Sequence, residues 1–137
     1  MIAPKTLKPS PREEPEAYEL VARRDGRACV RCGYYGAPQL DHIQNRLSGN
    51  TVPANLQTLC GPGGNNCHQW KTDHPDDAIT EGFARSRFET ADPTTIPARR
   101  YIVGHGLVWV LYGRGTDFAI IADDVAHARR RELGMEF

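Results

Sequence analysis

A chain of 137 residues has room for one compact domain with an arm or a small appendage. Its 39% hydrophobic content allows only a modest core, and its 17 basic and 17 acidic residues cancel, which excludes a polycation that coats nucleic acid indiscriminately. No apolar run is long enough to span a membrane, and residues 1–15 lack the apolar segment of a secretory signal, so a soluble cytoplasmic protein is expected.

Residues 1–14 carry Pro4, Pro9 and Pro11 among lysine and arginine and read as a flexible arm. Glu16 to Arg24 places Tyr18, Leu20, Val21 and Ala22 among charges and predicts a short helix, ended by the turn Asp25-Gly26. A knuckle comes next at Cys29 and Cys32, closed by Gly33 and Gly36, and Leu40 to Ile43 reads as a short strand. In residues 53–60, Pro53 marks a helix start, with Leu56 and Leu59 as its apolar positions. GPGGNN at 61–66 is too rich in glycine for regular structure. Cys67 to Thr72 opens a helix that His74-Pro75 limits, because the residue before proline avoids the helical region. Residues 79–90 are expected to be helical and weakly basic. Residues 97–137 form a separate extension. It comprises a hairpin of Tyr101–Tyr112 and Phe118–Ile121 around the turn 113–117, then a helix from Asp123 to Leu133. Within it Trp109 and Tyr112 read as core, His105 as turn and His127 as surface. The fold class is α+β.

Cys29/Cys32 and Cys60/Cys67 are two close pairs about 30 residues apart, a pattern that suggests metal rather than disulfides. Two residues separate the first pair, so both thiolates can reach one ion. Six residues separate the second, and Gly61, Gly63 and Gly64 make that longer loop able to close. Four thiolates leave no open coordination position. The site is therefore expected to be structural, holding Zn²⁺ whose binding energy becomes folding energy.

GRACVRCG, LDH, NLQTLC and CHQWKT together resemble the HNH endonuclease family of the four-cysteine subtype, over about residues 23–74. The resemblance implies a zinc-stapled ββα-metal finger, with the nuclease domain over 15–92. It implies a site of His42, Asn55 and His68. Asp41 and His68 would hold a catalytic divalent ion, His42 would act as general base, and Asn55 would fix the loop that orients that base. The chemistry needs these residue types. A histidine can accept a proton from water near neutral pH, and a hard cation can stabilise charge growing on phosphate oxygens. Mg²⁺ or Mn²⁺ is expected, with other divalent ions compatible with the imidazole ligand. Thr72 stands where some relatives carry a further histidine, so two protein ligands are expected. Asp41 and His42, as neighbours on a regular strand, point to opposite faces, so both can serve one phosphate only if the strand is distorted or the phosphate sits at its edge.

Arg46, Lys71, Arg27 and Arg31 are candidates for contacts to DNA backbone phosphates, and Arg85, Arg87, Arg99 and Arg100 for an extension of that track. Arg23 and Arg24 read as solvated surface. The expected partner is double-stranded DNA. The extension at 97–137 would pack on the nuclease, pair with another copy or dock a partner, for instance a phage packaging protein, in a bacterial or phage-infected cell. The competing readings are a catalytically inactive, zinc-stabilised DNA- or protein-binding module, and an interaction protein whose working part is that extension.

Overall fold

The computed structural model describes residues 13–36 and 38–136. Most of the expected arm, residues 1–12, lies outside them, whereas Glu13 and Glu14 already belong to the first helix, α1 (Glu13–Asp25). Acidic Glu13, Glu14 and Glu16 occupy its first turn and Arg23 and Arg24 its last, the polarity that the helix dipole favours. Ala17, Val21 and Arg24 are buried at helical spacing, and Ala17 and Val21 pack on Leu56. Gly26, with a φ of 58°, ends the helix in the left-handed conformation that glycine adopts at least cost.

The knuckle leads into β1 (Pro38–His42), which pairs antiparallel with β2 (Leu56–Cys60). The helix expected from Pro53 is confined to a single 3-10 turn at Pro53–Asn55. Beyond that turn the chain extends into a strand whose five residues are all buried, the polar Gln57 and Thr58 included, so it is covered on both faces. In register, Asp41 faces Gln57 and His42 faces Leu56. The loop after β2 turns into α2 (Cys67–Asp73), and His74-Pro75 breaks the chain into α3 (Pro75–Glu81).

The helix expected over 79–90 is not there: α3 stops at Glu81, and no helix or strand covers residues 82–90. Gly82 has a φ of 93°, and a Cβ there would lie 2.6 Å from the Trp109 ring, so the chain turns where only glycine fits. Phe83 then drops into the core beside Leu59 and the cysteines, and Arg85 pairs with the 43–44 segment through its backbone amide on the Ile43 carbonyl.

The C-terminal sheet is a three-stranded meander, β3 (Ala98–Ile102), β4 (Gly106–Tyr112) and β5 (Phe118–Ile121), in that order. The stretch read as one strand, 101–112, is broken at 103–105, where Gly104 and Gly106 take positive φ and His105 sits in the turn. Helix α4 (Asp123–Glu132) covers this sheet, with Ala126 and Arg130 buried. Trp109 and Tyr112 are core residues, and the half-exposed His127 ring lies edge-on to Trp109 and pairs with Glu136.

The two sheets are joined through one knuckle residue. The Val30 amide donates to the Thr58 carbonyl of β2, and the Val30 carbonyl accepts from the Tyr101 amide of β3. A buried ion cluster reinforces the joint. Asp25, at the end of α1, accepts from Arg24, from Arg100 of β3 and from the Thr58 amide. Among the described residues no helix is long and apolar enough to cross a membrane.

A four-cysteine cluster beside a candidate metal site

The knuckle and the β2–α2 loop bring all four cysteines together: their sulfur atoms lie within 4.8 Å of one another. Among the described residues this is the one cluster of three or more potential metal-binding side chains. A tetrahedral ion with metal–sulfur bonds near 2.3 Å sets its sulfurs about 3.8 Å apart, and the Cys32 and Cys60 Sγ atoms are 3.6 Å apart. The donor set and spacing are compatible with a structural zinc.

Hydrogen bonds to the sulfurs favour thiolates, and burial opposes them. The Arg31 amide donates to Cys29 Sγ, the Asn65 amide to Cys60 Sγ, and Asn65 Nδ2 to Cys32 Sγ at 3.3 Å. Burial opposes ionisation of Cys32, but the Asn65 side chain, the Tyr34 backbone and neighbouring sulfurs outweigh it and bring its pKa down to about 7. Burial wins at Cys29 and Cys67, whose pKa values are raised without an ion. Thiols that are reluctant to ionise alone lose their protons when a dication stabilises the thiolates, so metal uptake and proton release are linked. Four thiolates around a dication still leave surplus negative charge. Arg31 answers it, with Nη1 3.5 Å from Cys67 Sγ and its guanidinium over the Trp70 ring at 3.6 Å. Arg31 is therefore part of the knot's wall rather than a freely projecting cation.

Next to the knot, β1 and the first turn of α2 converge. Asp41, in β1, is buried. His68, directly after the cysteine that starts α2, places Nε2 3.4 Å from Asp41 Oδ1. That spacing and the oxygen-plus-imidazole donor set fit a shared divalent ion. Thr72 Oγ1 bonds to the His68 carbonyl of its own helix.

His42 is the last residue of β1, so the strand stops where the two neighbouring side chains would otherwise be committed to opposite faces. Its Nε2 lies 2.9 Å from the hydroxyl of fully buried Thr51, and its ring meets that of Tyr18 edge-on. Burial lowers the His42 pKa, and the Arg46 cation lowers it further.

Asn55 is 1% exposed and uses its whole amide. Oδ1 accepts from the Gln44 amide and from Arg85, and Nδ2 donates to the Gln44 and Asn50 carbonyls. It thereby ties down both ends of the 44–50 loop, which leads from His42 toward Thr51.

The basic residues divide. Arg46 is exposed and lies beside His42, where it pairs with Glu14 and approaches the Tyr18 hydroxyl. Arg27 and Arg87 are exposed. Lys71 is turned inward and only 8% exposed; its ammonium lies 3.1 Å from Asp41 Oδ2 and 2.9 Å from the His42 carbonyl. Arg24, expected at the surface, is buried: it bonds to Asp25 and to the Pro53 and Leu56 carbonyls beneath the Tyr112 ring. Arg85 and Arg100 are interior as well, and Arg99 packs on Trp109. Burial pushes the Arg85 guanidinium down to about 10, still cationic at neutral pH, and the Ala54 and Ile96 carbonyls receive it.

Sequence reasoning missed Gln57 and Thr51. Gln57 Nε2 donates to Asp41 Oδ2 at 2.9 Å and to the Phe83 carbonyl, and Thr51 meets His42. The Gln57 contact is a product of strand pairing, since residues directly opposite on antiparallel strands have adjacent side chains. That register is not written in either segment alone. Nothing local marks Thr51. Compared with protein-family models, with curated proteins and with solved structures, the chain matches none of them.

Proposed function

We propose that this protein is a divalent-metal-dependent DNA endonuclease of the HNH type, with the four cysteines holding a structural zinc. The observation that carries the reading is the 3.4 Å approach of Asp41 Oδ1 to His68 Nε2, from a strand and a helix start that the cysteine knot draws together. The hairpin of β1 and β2 followed by α2 supports a ββα-metal finger. Asp41 and His68 would hold the catalytic ion. Bound there, Mg²⁺ or Mn²⁺ supplies electrostatic stabilisation of negative charge on the phosphate.

The chain's own residues perform the rest. His42 takes a proton from the attacking water. Its lowered pKa keeps the ring neutral, and so able to accept, at physiological pH. With Nε2 directed at Thr51, the other ring nitrogen is the one left for water. Asn55 keeps the intervening loop in place. Exposed Arg46 and Arg27 supply backbone-phosphate contacts, which position a duplex without reading its sequence. The products expected from the family resemblance carry 5′-phosphate and 3′-hydroxyl ends.

Nicking of a supercoiled plasmid tests this, with the zinc-loaded protein and added Mg²⁺ or Mn²⁺. His42→Ala is expected to lower the rate by about 10²–10⁴-fold, the usual worth of a positioned base. Equal rates for the two proteins, or no cutting with either ion, would sink the enzyme. One observation favours the second reading, an inactive zinc-stabilised binding module: Lys71 already neutralises Asp41. Under that reading the protein retains DNA in a gel shift, cuts nothing, and binds equally well after Asp41→Asn.

A further inference from the structure

The Asp41 carboxylate has more partners than a two-ligand metal site requires. Oδ2 accepts from Gln57 Nε2 at 2.9 Å. Lys71 Nζ lies across both oxygens, 3.1 Å from Oδ2 and hydrogen-bonded to Oδ1 at 3.4 Å, and Oδ1 is also the oxygen next to His68. Lys71 is anchored from its other side by the His42 carbonyl, so its charge is fixed in place. Gln57 is fully buried. Because Nε2 donates to two acceptors its amide orientation is determined, and that leaves Oε1 without a partner. A buried amide oxygen left unpaired opposes folding. The arrangement thus tolerates a local cost in order to aim Nε2 at Asp41.

We propose that Lys71, spanning both oxygens of Asp41 while Gln57 holds Oδ2, is a positioning residue that keeps the affinity for a free divalent cation low, so that cation and phosphodiester are held firmly only together. The inference rests on the metal-binding reading of Asp41 and His68. Its physical basis is charge. An isolated buried carboxylate attracts a dication strongly. Here an ammonium has cancelled that carboxylate, and an entering dication meets its repulsion. The phosphodiester brings the missing negative charge, and the coupling is reciprocal: the cation must strengthen DNA binding by the same factor.

Mn²⁺ binding followed by electron paramagnetic resonance tests this on the full, zinc-loaded chain. The His42→Ala background leaves DNA uncut, and binding is measured with and without a short duplex. The parent is expected to bind Mn²⁺ weakly alone and more tightly with DNA, and Asp41→Asn to abolish binding. Lys71→Met should bind free Mn²⁺ at least ~tenfold more tightly and lose most of the gain from DNA, because one repelling charge is gone. Lys71→Arg, which keeps the charge, should stay near the parent. Lys71→Gln serves if the methionine variant does not fold, as judged by zinc content and melting. If the uncharged variants bind Mn²⁺ no more tightly than the parent while Asp41→Asn still abolishes binding, this inference is overturned and the metal site stands. If Asp41→Asn changes nothing, or no variant binds Mn²⁺, the metal site itself is lost and the inference with it.

Discussion

At the scale of single residues, the most consequential fact is that cations have been drawn inward. Arg24, Arg85, Arg100 and Arg130 are all under 10% exposed, and each finds carbonyl or carboxylate partners. A planar guanidinium with five donors can tie several chain segments at once, which a small apolar core cannot do. The cation that stays outside near the candidate site is Arg46. Its charge and the burial of His42 act in the same direction, disfavouring imidazolium. A base works in its neutral form. For the proposed nuclease, the cleavage rate is therefore expected to rise through a pKa below the ordinary 6.5 and to be flat above it. Arg46→Gln removes a repelling cation, so the acidic limb should move to higher pH. A limb that moves to lower pH, measured as nicking rate against pH, contradicts this assignment. Asn55→Ala would strip partners from a buried loop and from Arg85, at about 2–4 kcal/mol for several unpaired groups. Denaturant unfolding would measure that loss.

At the scale of elements, the candidate site is the meeting of one strand with one helix start, and neither is stable alone. The helix α2 has seven residues, too few to persist in water by itself. Its first residue, Cys67, is one of the clustered thiols, and His68 comes directly after it, so the knot sets where the imidazole lies. Cys29→Ser is expected to lower the melting temperature sharply and to release zinc, whereas His42→Ala should melt close to the parent. Equal melting of Cys29→Ser and the parent would mean that the cluster is not a structural metal site. The link from α3 to the meander is just as exacting. Gly82→Ala forces a Cβ into the Trp109 ring at a φ of 93°, and a loss of about 1–3 kcal/mol is expected from that strained position.

At the scale of the whole molecule, the C-terminal meander is continuous with α1, the cysteine knuckle and the β1–β2 hairpin. Val30 bonds to both sheets, Asp25 joins α1, β2 and β3, and Tyr112 and Val110 pack with Ile43 and Ala54. Removing residues 97–137 would leave Asp25 without Arg100 and bare Ile43 and Ala54. The shortened chain is expected to be insoluble or unfolded. A cooperative unfolding transition from the isolated residues 13–96 would show that the meander is a separable appendage. Asp25→Ala tests the same joint by a point change. Breaking a buried ion pair from one side commonly costs about 3–5 kcal/mol, because the remaining charge stays buried.

The local parts of this protein were legible in its residues. Paired cysteines in glycine-rich turns announce a metal knot because few other arrangements need such spacing, and Cys29, Cys32, Cys60 and Cys67 do converge. The helix over 123–132 and the core roles of Trp109 and Tyr112 were likewise readable from charge and apolar pattern. Long-range pairing was not. Only the folded chain decided that 56–60 is a strand, that the helix near residue 80 ends at Gly82, and that Lys71 is paired with Asp41 instead of facing solvent. A surface cation and a buried one are the same letter. They are separated by the partner that strand register and sheet docking set down, and that partner lies 30 or more residues away: Asp41 for Lys71, Asp25 for Arg100.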